Sequence, residues 1–160
     1  MQTNLNSITF GTSLTAIGDS AFQYCSQGGT FSSPLVIPAG IGSIGEDAFL
    51  NCFTDSANPP AIIIPGSVTD IGQRAFGQNF LASVTIQPGP NPIVIGDFAF
   101  ESNNACYAQE GCTTTLSLGE GITEIGEQAF EGWEGLKSDI TFPSTLTSLG
   151  DGAFQNTPIT

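Results

Sequence analysis

One acidic residue recurs at a fixed place after an Ile-Gly or Leu-Gly pair: Asp19, Glu46, Asp97, Glu127 and Asp151, with Gln73 in the third copy. Carboxylates repeated in register can do three kinds of chemistry. They can cap short helices, because a side-chain oxygen accepts from free backbone N–H groups and its charge suits the positive helix end. They can share a divalent cation, for which Ca2+ suits stacked oxygen ligands. A pair of them can also serve as acid and base on a glycosidic bond. A column of like charges about 5 Å apart is costly unless each one is engaged. Helix capping is the expectation here, and a metal column is the alternative. Catalysis comes last, because the chain has no histidine. That removes the usual general base, every Ser-His-Asp or Cys-His arrangement and most zinc sites. The glycines mark turns and form no phosphate loop. The reading is non-enzymatic, with no cofactor required.

The cysteines and the single tryptophan are the other reactive or sticky groups. Cys25 and Cys52 fall at equivalent points of adjacent copies. They are expected to be buried free thiols: one repeat spacing nearly allows a disulfide, but the Cβ vectors of stacked residues run parallel. Cys106 and Cys112 lie in the insertion CYAQEGC and are expected to close a loop disulfide, which would place the chain in an oxidising compartment. Trp133 occupies a slot that elsewhere holds Cys, Asn or Thr. It is expected either to tilt outward beside Phe53, Phe80 or Tyr107, where it could stack on a sugar, or to cover the end of the core. Glu120, Glu124, Glu127, Glu131 and Glu134 crowd two turns and read as a solvated face. The sharper reading is a docking patch for a basic partner or Ca2+.

The elements that position these groups are repeats. Six copies of one hexapeptide run through the chain: IGDSAF, IGEDAF, IGQRAF, IGDFAF, IGEQAF and LGDGAF, with starts 27, 27, 24, 30 and 24 residues apart. A motif at that period marks stacked coils. Upstream of each copy lies a short alternating segment, such as Ile62-Ile63-Ile64 or Val84-Thr85-Ile86. Period two with one face buried predicts a strand. Its outward column is Thr9, Val36, Ile63, Thr85, Ser117 and Thr141, a flat and uncharged ribbon and a candidate partner-binding face. A second apolar position (Leu14, Ile41, Val68, Ile122, Leu146) predicts another short extended stretch. Gly then turns the chain, and Ala-Phe plugs the core through a predicted one-turn helix. Three residues beyond each Phe lies the inward column Cys25, Cys52, Asn79, Asn103, Trp133 and Thr157, where Asn should bond to backbone groups of the turn.

The composite unit, apolar-x-apolar-Pro-x-x-apolar-Thr-x-Ile-Gly-x-x-Ala-Phe-x-x-Cys, closely resembles the BspA-like (Treponema pallidum type) leucine-rich repeat, over roughly residues 5 to 160. The resemblance implies a surface or secreted protein that acts in adhesion or host interaction. The copies depart from the family pattern after Ala-Phe, where the connections from Phe22, Phe49 and Phe100 to the next strand are longer. Such insertions project from one side of a solenoid.

The chain has 15 acidic and 2 basic residues, a net charge of −13. That balance disfavours nucleic acid and anionic membranes, which call for clustered Lys or Arg. No apolar run approaches the ~20 residues of a membrane span. The first residues show no signal peptide, and neither end reads as a polar cap. The expected architecture is one β-rich leucine-rich-repeat solenoid over 1–160, with six right-handed coils, short strands and one-turn helices, cut from a longer repeat protein. The expected function is an extracellular or cell-surface binding and adhesion module for a protein or glycan. The alternative is a structural segment of a fibre or surface layer that self-associates end to end.

Overall fold

The computed structural model of the chain describes residues 5–25, 31, 34–103, 105, 113–136 and 139–159. Four of the six alternating segments and the stretches before each Ile-Gly or Leu-Gly pair form strands: β1 (Ala16–Ile17), β2 (Leu35–Val36), β3 (Ser43–Ile44), β4 (Ala61–Ile64), β5 (Asp70–Ile71), β6 (Ser83–Ile86), β7 (Ile93–Ile95), β8 (Thr115–Leu118), β9 (Ile122–Ile125) and β10 (Ser148–Leu149). They assemble into two parallel sheets, ordered β1-β3-β5-β7-β9-β10 and β2-β4-β6-β8. Each strand pairs with its counterpart in the next repeat, so Ile17, Ile44, Ile71, Ile95, Ile125 and Leu149 form one aligned row. In the fourth repeat one residue fewer separates the buried Ile93 from the Ile-Gly pair. The register there shifts between Ile93 and Val94, leaving Thr123 unpaired in the facing strand.

Two of the six predicted outer strands do not join the second sheet. Beyond β8 the bridging partner is Leu136, which pairs with Thr114 and not with the segment Ile140-Thr141-Phe142. Phe10 and Phe142 instead set their rings edge-on against Phe22 and Phe154, at 88° and 79°. Thr9 and Thr141 lie exposed outside the sheet.

The predicted one-turn helices are corrected. Among the described residues the Gly-x-x-Ala-Phe segments are runs of overlapping turns. In the first copy, Ala21 N–H donates to Gly18 O, Gln23 N–H to Ser20 O and Cys25 N–H to Phe22 O. Numbered from the Ile or Leu of the motif, the fourth and eighth residues of every copy have positive φ: Ser20 and Tyr24, Asp47 and Asn51, Arg74 and Gln78, Phe98 and Ser102, Gln128 and Gly132, Gly152 and Asn156. A left-handed residue at the third place of a turn reverses the chain without winding a helix. The alternate N–H groups, freed from the local turns, point along the stack. At each junction the fourth, sixth and eighth residues donate to carbonyls of the third, fifth and seventh residues of the next copy, at 2.7–3.0 Å.

The core is a ladder. Phe22, Phe49, Phe76, Phe100, Phe130 and Phe154 stack face to face, with centroids 4.9–5.2 Å apart and planes within 12°. That spacing matches the interstrand distance of a sheet, so rings and backbone rise in step. Ala48, Ala75, Ala99 and Ala129 are fully buried beside them. The motif glycine permits this closeness: a Cβ on Gly72 would sit 2.7 Å from Glu46 N and from Gly45 C in the preceding coil.

Candidate binding surface

Strands β2, β4, β6 and β8 bring four of the six outward ribbon residues into one line, paired Val36 to Ile63, Ile63 to Thr85 and Thr85 to Ser117. A second row, Ala61, Ser83 and Thr115, runs parallel two residues away. Val36 is 53% exposed, and Ile63 and Thr85 are half-buried. None of these strands carries an ionisable side chain. The other sheet differs, with Asp70 and Glu124 exposed on β5 and β9.

In the acidic column, Asp19 and Asp97 bond across coils and cap no helix. Asp19 Oδ1 accepts from Glu46 N–H at 2.9 Å, and Asp97 Oδ1 accepts from Glu127 N–H at 2.8 Å. Each Asp therefore clamps its own coil to the next one. Glu at the same place is one methylene longer and makes no such bond in Glu46 or Glu127, both exposed. Among the described residues no three carboxylate or thiol groups converge to hold a metal ion. Arg74 pairs with Asp47 at 3.0 Å and with Glu46 at 3.5 Å. In the glutamate-rich turns, Ser144 N–H and its hydroxyl bond to Glu120 at 3.1 and 2.9 Å and hold its carboxyl below the usual range. Glu131 is engaged by Gln128 and Asn156. Burial pushes the Glu101 carboxyl up, aided by the nearby charge of Glu131.

The inward column is a chain of polar bonds. Asn79 Oδ1 accepts from Cys52 N–H and Phe53 N–H at 2.9 and 2.7 Å, while its Nδ2 donates to Phe49, Phe76 and Gly77 carbonyls. Asn103 both accepts from and donates to the backbone of Leu81. Of the two placements open to Trp133, the outward tilt is overturned: the ring is fully buried, and its indole N–H donates to Phe100 O at 2.6 Å. Asn79 and Thr157 donate to the same atom of their own preceding copy, Phe49 O and Phe130 O. Three of the six slot residues thus donate to this carbonyl, and in the fifth copy the indole is the donor. Size had argued for the outside, but the need for a donor decides it. Trp133 cannot reach a ligand.

The cysteine expectation is reversed. Cys25 and Cys52 form a disulfide across the first two coils, with Cα atoms 4.8 Å apart. Free thiols were expected from equivalent, parallel side chains, yet the two differ: Cys52 is fully buried and Cys25 only half-buried. Cys106 and Cys112 lie outside the described residues. A cavity of about 400 Å³ opens between Phe31, Pro34 and the Asn58-Pro59-Pro60 segment, and none of the described residues that line it is ionisable. Among the described residues no helix is long and apolar enough to cross a membrane.

Comparison with known families agrees with this geometry. The model of the BspA type leucine-rich-repeat region matches residues 31–108 and 101–160, in six copies. Neither a curated protein nor a solved structure matches the chain. The shared motif, the paired parallel sheets and the phenylalanine ladder place the chain in the BspA-type leucine-rich-repeat family.

Proposed function

We propose that the chain is a non-enzymatic adhesion module that binds a protein partner at the cell surface through the outer face of β2, β4, β6 and β8. The observation that carries this reading is the in-register row Val36, Ile63, Thr85 and Ser117: an uncharged, half-apolar strip on a chain of net charge −13. Solenoids use extended faces of this kind for recognition. Charge on the remaining surface repels wrong partners, and a neutral strip is the cheapest surface to desolvate. The Cys25–Cys52 disulfide supports an extracellular setting, where such bonds persist. A glycan is the second ligand class, through the hydroxyls of Thr85, Ser117 and Thr115.

The test uses the wild-type chain against an array of extracellular proteins and an array of glycans. Saturable binding to a protein, abolished by Ile63→Asp and retained by Asp70→Asn on the other sheet, supports the reading. Binding that survives Ile63→Asp, or saturable binding confined to glycans, overturns it.

A further inference from the structure

The longer connections after Phe22 and Phe49 build a concave site. Phe31 and Pro34 come from the first, and Asn58, Pro59 and Pro60 from the second. Ala61 of β4 and Ala82, just before β6, complete the cavity of about 400 Å³. A space of that size takes a small ligand or a large side chain. Its walls are stiff. Proline has a fixed φ and no side-chain rotamers to lose. Ala82 N–H donates to Pro60 O at 2.9 Å and ties the proline segment to the next coil. The Phe31 ring, 4% exposed, meets Phe53 edge-on with centroids 5.0 Å apart, and Phe53 stacks on Phe49 of the ladder. Phe53 N–H is held in turn by Asn79 at 2.7 Å. The disulfide of Cys25 and Cys52 joins the two connections near their starts. The cavity is therefore formed before anything enters it, which lowers the ordering cost of binding.

The cavity adjoins the outer sheet face. Ala61 lines it, and Ala61 and Ile63 are the outward residues of β4. Ile63 stands two places along the strand, ~7 Å away, in the neutral row with Val36 and Thr85. An extended segment laid along β4 has the same spacing between side chains of one face. One of its side chains can enter the cavity while the next on that face covers Ile63. The rim is different from the interior. Asp55 lies three residues before Asn58, and its carboxylate accepts from Ala57 N–H at 3.0 Å and from Asn58 Nδ2 at 3.1 Å. A negative charge thus sits one hydrogen bond from a lining residue, on a chain of net charge −13. The interior suits an apolar ring, and the rim suits a cation.

We propose that this cavity seats an aromatic side chain carried by an extended, lysine- or arginine-rich segment of the protein partner. The ring packs against Phe31 and the prolines, the kind of desolvated pocket in which an aromatic anchor contributes most. Flanking cations lie over the rim at Asp55, and the acidic chain draws the basic segment in. None of the described lining residues is ionisable, so a charged group would lose its hydration inside and gain no partner. The inference rests on the adhesion reading, because it names the chemistry of the partner at that surface. It assigns the anchor to a cavity that the row Val36, Ile63, Thr85 and Ser117 does not include.

The probe is a peptide capped at both ends, Lys-Lys-Val-Thr-Trp-Thr-Val-Lys-Lys, titrated into isotope-labelled chain and followed by NMR at low and high salt. Its sequence reads alike in both directions, so either orientation along β4 places Val over Ile63. Saturable shifts at the amides of Phe31, Ala61 and Ala82 are expected, with weaker binding at high salt. Replacing the Trp of the peptide with Ala, or its lysines with glutamates, should weaken binding about tenfold or more. Ala82→Leu fills the cavity and should do the same at an unchanged melting temperature. Ala61→Val, a β-branched residue suited to a strand, fills it from another wall and should also weaken binding. No binding, equal binding of the Trp and Ala peptides, or undiminished binding to both filled variants would overturn the proposal. Shifts confined to Val36, Ile63, Thr85 and Ser117 would overturn it too, while leaving the adhesion reading in place. Cavity shifts with an affinity untouched by Ile63→Ser would support the cavity and count against the strip, so the two readings fail separately.

Discussion

Replacing Asn79 with Ala should be among the most damaging single changes in the chain. Asn79 is 1% exposed and makes five bonds, three that tie the third coil to the second and two within its own coil. Some of its partners have a second bond: Cys52 N–H also reaches Phe49 O at 3.3 Å, and Gly77 O also receives Asn51 N–H at 3.0 Å. No other described residue bonds Phe53 N–H or Phe76 O. Two buried backbone groups are therefore bared at about 1–3 kcal/mol each, and with the small void the expected loss is about 3–5 kcal/mol. That is a large share of the ~5–15 kcal/mol that typically separates folded from unfolded chains. Asn79→Asp keeps the acceptor oxygen but turns the other oxygen toward three carbonyls. It should be worse than Ala at neutral pH and recover as acid protonates the carboxyl. Thr69→Val is the control, because Gly42 O keeps the Thr69 N–H at 2.9 Å when the hydroxyl bond is lost. Urea unfolding of the disulfide-intact proteins, followed by circular dichroism, reads all three. An Asn79→Ala variant within about 1 kcal/mol of wild type, or no worse than Thr69→Val, would refute the reasoning.

Three further outcomes follow from the same geometry. Gly72→Ala forces a methyl into the backbone of the preceding coil and should cost at least about 2–3 kcal/mol in the same unfolding assay. Gly152 has φ +62, so Gly152→Ala should cost about 1 kcal/mol, and Ser20→Gly at φ 53 should be neutral or stabilising by under about 1 kcal/mol. The folded state holds the Glu101 proton more tightly than the unfolded chain, so its contribution to stability is present at low pH and lost as pH rises through the raised value. Glu101→Gln should therefore raise the melting temperature at pH 7, with the advantage closing in acid.

Much of this was legible because it is periodic. The Ile row and the Phe ladder were visible in six aligned hexapeptides, since a core repeated at one spacing must be filled by one residue type. The Asn column was legible for the same reason. The turns were not, because a left-handed residue leaves little trace when Ser20, Asp47, Arg74, Phe98, Gln128 and Gly152 occupy one position. Asn51, Gly132 and Asn156 at the eighth position carried the hint, since Gly and Asn tolerate that conformation best. A helix would have consumed its N–H groups within each coil. The stack needs them between coils, and that tertiary demand outweighs the capping signal of Asp19 and Asp97. Trp133 was left between two placements because volume was weighed and hydrogen bonding was not. The Cys25–Cys52 bond was missed because strictly repeating side chains were assumed to be equivalent. The binding strip was legible as a column, but only the ladder showed that four of its six residues align.

The central claim is that every second N–H of the motif turn is spent on the next coil. Amide hydrogen exchange by NMR on dilute, monomeric chain tests it most directly. The amides of Phe49, Phe76 and Phe100 should be strongly protected, while those of Phe154 and Asn156, which donate to no described residue, should exchange orders of magnitude faster. Protection of Phe154 equal to that of Phe76 in the monomer, or rapid exchange at Phe49, Phe76 and Phe100, would contradict the account.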